Sequence, residues 1–181
     1  TLEVKCDALE PLLNQYNCSL PDFIKIYIQG GEKIVFESLK KSTWNNLIGV
    51  DISSQMLKKA KEKSIYSELK CCELKYFLTK TKEKYDLLIA GDVLIYIGNL
   101  SELFKLCSNV MTKNARFIFS TEVSTDVAYK IDLTARYSHN FNYIQKITEQ
   151  NNLTIESCEN TKIRMEKNKW VFGKVFSVLK K

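Results

Sequence analysis

The chain has 181 residues, 45% of them hydrophobic, enough for one domain with a sizeable core, and no apolar run approaches the ~20 residues of a membrane span. Six scattered cysteines without a C-x-x-C pair, and a single histidine, His139, argue against a metal site and suit reduced thiols in the cytoplasm. The net charge of +6 rests mainly on lysine, a poor bidentate reader of phosphates and bases, so neither a nucleic-acid groove nor a membrane partner is expected.

In chain order, residues 1–22 read as a helical lead-in to an α/β core over 23–181, together one domain. Phe23 to Ile28 alternates like a strand before the turn Gly30-Gly31, although Pro21 to Ile28 also reads as a helix with Phe23, Ile24 and Tyr27 on one stripe. Leu47 to Val50 is a short apolar strand that stops on Asp51. Gln55 to Glu68 carries Met56, Leu57 and Ala60 at helical spacing among lysines, and Leu69 to Glu73 reads as a further strand. Tyr85 to Ala90, YDLLIA, is a continuous apolar run of the kind buried on both faces of a parallel sheet. Leu100 to Met111 is an amphipathic helix, Arg116 to Ser120 a strand, Phe141 to Asn151 a helix, and Leu153 to Cys158 with Lys169 to Leu179 two closing strands. Such alternation predicts an open, mostly parallel α/β sheet ending in an antiparallel hairpin.

In open α/β sheets the ligand lies outside the carboxyl ends of the strands. That rule selects Asp51 and Ile52, Glu73 and Leu74, Gly91 and Asp92, and Thr121 and Glu122. A carboxylate placed as Asp51 is can accept hydrogen bonds from both hydroxyls of a ribose. It can equally N-cap the helix behind it, a task that Ser53 or Ser54 could also perform.

The segments GVDISSQMLKKAKEKSIYSEL, YDLLIAGDVLIYIGNLSELF and RYSHNFNYI, in that order and spacing, resemble the class I S-adenosylmethionine-dependent methyltransferases, most of all a bacterial branch often fused to tetratricopeptide repeats. The resemblance runs from about Leu47 to Leu179 and implies a Rossmann-like, seven-stranded sheet with S-adenosylmethionine as cofactor. It implies that Asp51 holds the ribose, that Ile52 and Met56 line the adenine pocket, and that Glu73 or the backbone of Leu74 meets the adenine edge. Gly91 and Asp92 would border the methionine portion and the substrate mouth, with Asp92 and His139 as the candidate bases. Each has a plainer alternative: Ile52 and Met56 as core, Glu73 as an exposed strand-end acid, Gly91-Asp92 as a turn, His139 as a loop residue in the polar stretch RYSHN.

The family's glycine-rich loop, D-x-G-x-G-x-G, has no intact counterpart. Its best match is FIKIYIQGGEK, where Tyr27 stands for the strand acid, Gln29 for the first glycine and Lys33 for the last, with Gly30 and Gly31 as the surviving turn. Gly31 precedes Asp51 by twenty positions, as a nucleotide loop precedes its ribose acid by ~20. Two functions follow: methyl transfer to an unidentified small molecule or protein, or a degenerate domain that keeps the architecture without the cofactor. A nicotinamide-dependent oxidoreductase is disfavoured because its fingerprint glycines are missing too.

Overall fold

The computed structural model describes residues 46–125 and 127–181; the lead-in over 1–22, the alternatives at Phe23 to Ile28, and Gly30 and Gly31 lie outside the described residues. Strand β1 (Ile48–Asp51) pairs in parallel with β2 (Glu68–Cys71), joined by helix α1 (Ser54–Glu62). Helix α2 (Leu74–Lys80) leads to β3 (Tyr85–Ala90), a 3-10 turn (Leu94–Tyr96) and helix α3 (Ser101–Val110). Then come β4 (Met111–Val123), the short strands β5 (Tyr129–Ile131) and β6 (Tyr137–His139), helix α4 (Phe141–Glu149), and a long hairpin of β7 (Leu153–Glu166) and β8 (Lys169–Lys180).

Six strands form one sheet in the order β5-β6-β4-β8-β7, with β3 against β4. β3 and β6 run parallel to β4, while β8 is antiparallel to β4 and to β7. This is the mostly parallel α/β sheet with an antiparallel C-terminal hairpin that the alternation predicts. β3 behaves as its apolar run requires, with Tyr85 and Leu87 to Ala90 all buried. Phe104 of α3 meets Phe117 and Phe119 of β4 edge-on at 5.7 and 5.3 Å, and Phe119 stacks on Phe176 of β8 at 5.0 Å. Ile48 and Val50 of β1 share this core with Leu88 and Ala90 of β3.

Several expectations need correction. The helix expected over Gln55 to Glu68 ends at Glu62, where Ser64 takes a left-handed φ of 52° and the Ser67 N–H bonds the Leu47 carbonyl, returning the chain to the sheet. The strand expected over Leu69 to Glu73 ends at Cys71, because the Glu73 side chain accepts the Tyr76 N–H at 2.9 Å and N-caps α2, a helix not expected at all. RYSHN is not an exposed loop: Ser138 and His139 are buried on β6.

The hairpin closes through Lys167 and Asn168, both at positive φ, as a two-residue type I′ turn requires. A bulge between Lys162 and Arg164 shifts the register of β7. On β8, Gly173 is needed for close approach: a Cβ there would lie 2.3 Å from the Thr121 carbonyl oxygen and 1.9 Å from Ile163 Cδ1. The side chain can move aside but the backbone oxygen cannot. Gly173→Ala is therefore expected to lose about 1–3 kcal/mol of stability, the scale of overpacking, read from urea unfolding. An unchanged midpoint would contradict the contact.

Candidate functional site

The Asp51 carboxylate settles part of its own ambiguity. Its Oδ1 accepts the Ser53 N–H at 2.7 Å, and Ser53 in turn is the N-cap of α1, its Oγ accepting the Met56 N–H at 3.4 Å. Helix capping therefore falls to Ser53. The other oxygen, Asp51 Oδ2, is buried and has no hydrogen-bond partner among the described residues. Such an atom is costly unless something donates to it, and a ribose hydroxyl is a donor of the right kind. Beside it Ile52 is 75% exposed and Met56 half-buried, so neither is spent on the core.

At the end of β2, Glu73 is exposed and spends one carboxylate oxygen on its own helix, while Leu74 packs against the core. At the end of β3 the chain turns at Gly91 into Asp92, which is buried with φ 55° and donates its N–H to Ser120 Oγ at 2.8 Å. The Asp92 carboxylate accepts from Arg164 Nη1 at 2.7 Å, and Arg164 Nη2 bonds Glu122 at the end of β4. The β7 bulge precedes Arg164 directly and aims it inward, a usual effect of an extra residue in one strand. Burial opposes the charge on Arg164, but the Glu122 and Asp92 carboxylates outweigh it and raise its pKa. Arg136 also reaches the hairpin, through Glu166 at 2.7 Å.

His139 lies at the end of β6, which pairs with the last residues of β4, beyond the point where β3 ends. Its Nε2 faces two carbonyl oxygens, of Ile97 at 2.9 Å and Gly98 at 3.0 Å, so that nitrogen must carry the proton and donate. Nδ1 is buried and has no partner. Tyr143 secures the same loop, its hydroxyl accepting the Leu100 N–H at 2.8 Å and donating to Asn99 Oδ1 at 3.3 Å. Burial lowers the His139 pKa below 6.5, the two carbonyls only partly opposing it. Between that lowered value and 6.5 the unfolded chain binds the extra proton and the folded chain does not, so stability rises with pH there. Unfolding free energies measured below and above pH 6.5 should show a loss on the acid side that disappears in His139→Gln.

The candidate site thus comprises an acid with an unsatisfied oxygen at the end of β1, a capped helix start after β2, and a charge-locked turn after β3. A family model for a methyltransferase domain matches residues 32–180. The chain belongs to the methyltransferase-domain family.

Solved methyltransferases share its fold at low identity. A S-adenosylmethionine-dependent methyltransferase from Methanosarcina mazei aligns with a TM-score of 0.66 at 12% identity, covering 96% of this chain and 98% of its own. Magnesium protoporphyrin IX methyltransferase from Synechocystis, with bound S-adenosylhomocysteine, gives 0.68 at 18%, covering 96% and 80%. The N-methyltransferase NodS from Bradyrhizobium japonicum, also with S-adenosylhomocysteine, gives 0.66 at 14%, covering 93% and 82%. No curated protein sequence matches the chain. Among the described residues no helix is long and apolar enough to cross a membrane.

Sequence reasoning does not single out Arg164 or Tyr143. A signal for Arg164 existed: the chain has only three arginines, Arg116, Arg136 and Arg164, and each is paired with a carboxylate.

Proposed function

We propose that this methyltransferase binds S-adenosylmethionine at the carboxyl ends of β1, β2 and β3 and transfers its methyl group to a small-molecule or protein acceptor. The observation that carries the proposal is the buried, unpartnered Oδ2 of Asp51. In this reading Asp51 accepts from the ribose, Ile52 and Met56 cover one face of the adenine, and Glu73 or the backbone of Leu74 meets its edge. Gly30 and Gly31 let the backbone approach the methionyl portion, since glycine has no Cβ to obstruct it. The family match begins one residue after them, at 32.

When bound, the cofactor supplies an already activated methyl group on a sulfonium, whose sulfur keeps the electron pair as the methyl moves to the acceptor atom. The protein's task is alignment and exclusion of water. Of the candidate bases, Asp92 holds the mouth in this reading, while His139 has its Nδ1 lone pair left to take a proton. The Asp92 carboxylate is engaged by Arg164, and the exchangeable proton of His139 is committed to the 97–98 carbonyls.

The degenerate alternative is not favoured, because a site that had lost its ligand would have no reason to leave a buried carboxylate oxygen unsatisfied. Calorimetric titration with S-adenosylhomocysteine, with NAD as control, tests the proposal. Saturable binding of the first and none of the second is expected; a folded chain that binds neither would overturn it.

A further inference from the structure

The β7–β8 arm has two unlike faces. Arg164 and its cross-strand partner Val171 lie on the face turned to Asp92 and Glu122. Met165 is paired with Trp170, and Phe172 stands two residues further along the same face, so these three project together on the opposite side. They are 56%, 45% and 65% exposed, high values for such side chains at the end of a long antiparallel arm.

The charge of the hairpin tip is predominantly positive. Between residues 162 and 174 the only acid is Glu166, and both Arg136 and Arg164 engage it. Lys162, Lys167 and Lys169 are exposed, and the Lys162 ammonium lies over the Trp170 ring at 5.4 Å. We propose that this tip docks on an anionic lipid surface, as a peripheral contact and not a span. Tryptophan beside lysine is the pairing suited to the bilayer interface, where the ring enters the apolar boundary and the long lysine stem keeps its ammonium at the headgroups.

Other anionic occupants fit less well. Single-stranded nucleic acid calls for a groove that tracks the backbone, and a specific acidic peptide favours arginine forks. The tip is a projecting pair of strands, its arginine is turned inward to Asp92 and Glu122, and neither the cavity between α4 and β7 nor that beside α2 includes any of its residues. Docking by the tip sets the carboxyl-end rim of the sheet against the bilayer, where membrane-associated acceptors are presented.

Co-sedimentation of the full chain with vesicles tests this directly, using phosphatidylcholine alone or mixed with phosphatidylglycerol. Partitioning is expected only onto the mixed vesicles, weakening as salt is raised. It should fall about tenfold in W170A/F172A, which removes the apolar anchor, and about tenfold in K167Q/K169Q, which removes two interfacial charges. All these residues are exposed, so circular dichroism should show both variants folded. Equal partitioning onto pure phosphatidylcholine, no partitioning onto either vesicle, or partitioning unmoved by both variants would overturn the proposal. So would saturable binding of polyglutamate or of single-stranded RNA that the same variants abolish while the vesicles bind nothing.

Discussion

Arg164→Met is expected to destabilise the fold by about 3 kcal/mol, the low end of the cost of breaking a buried ion pair. The guanidinium spans two carboxylates from different strand ends, and its side chain is 7% exposed, as is that of Asp92. Removing it leaves Asp92 and Glu122 with no cation between them, and their desolvation is no longer offset. The low end applies because the Glu122 side chain keeps 16% exposure and can take up some water. Arg164→Lys should fall between parent and methionine variant, since one ammonium cannot fork to two acids as a guanidinium does. Adding Asp92→Asn to the methionine variant should restore part of the loss, because it removes one of the orphaned charges. Urea unfolding of the four proteins reads all of this. A loss under about 1 kcal/mol for Arg164→Met would place the pair among ordinary surface ion pairs.

That cluster marks where sequence reasoning reaches its limit. β3 was legible because a strand buried on both faces leaves a continuous apolar run, and α3 because five of its buried residues recur at helical spacing. The upper half of β7, ENTKIRME, has no such record. It pairs only with β8, is largely exposed, and contains a bulge that breaks the alternation. Arg164 lies 72 positions from Asp92, so no local pattern could join them. α2 was missed because it is short and capped by glutamate, which is not among the usual N-cap residues. The loop alternative for His139 fails for a different reason. Its polar neighbours suggest a loop, but its burial comes from Tyr129 and Tyr143, whose rings lie 6.3 and 6.2 Å from its own and which only the folded chain brings there. The strand-end rule selects Asp51, Asp92 and Glu122, and the structure joins the last two through Arg164, yet the rule cannot say which acids are already paired. That distinction is between a carboxylate satisfied by the protein and one left with an oxygen to offer.

Asp51 is the acid with an oxygen to offer, and Asp51→Asn is expected to weaken S-adenosylhomocysteine binding by about 1.5–3 kcal/mol, roughly 10- to 150-fold. Asparagine keeps a carbonyl oxygen to accept the Ser53 N–H, so the turn after β1 survives. What it replaces is Oδ2, by an amide that donates where the ribose hydroxyls also donate. Stability should therefore stay near that of the parent while affinity falls. Ser53→Ala should do the reverse, losing about 1 kcal/mol of stability with the cap of α1 and leaving affinity nearly intact. The two variants sit two residues apart and separate the two roles that the sequence left open for this turn. Calorimetry and urea unfolding on both decide between them: if Asp51→Asn binds as tightly as the parent, the unpaired oxygen serves no ligand, and the ribose must be held elsewhere along the rim.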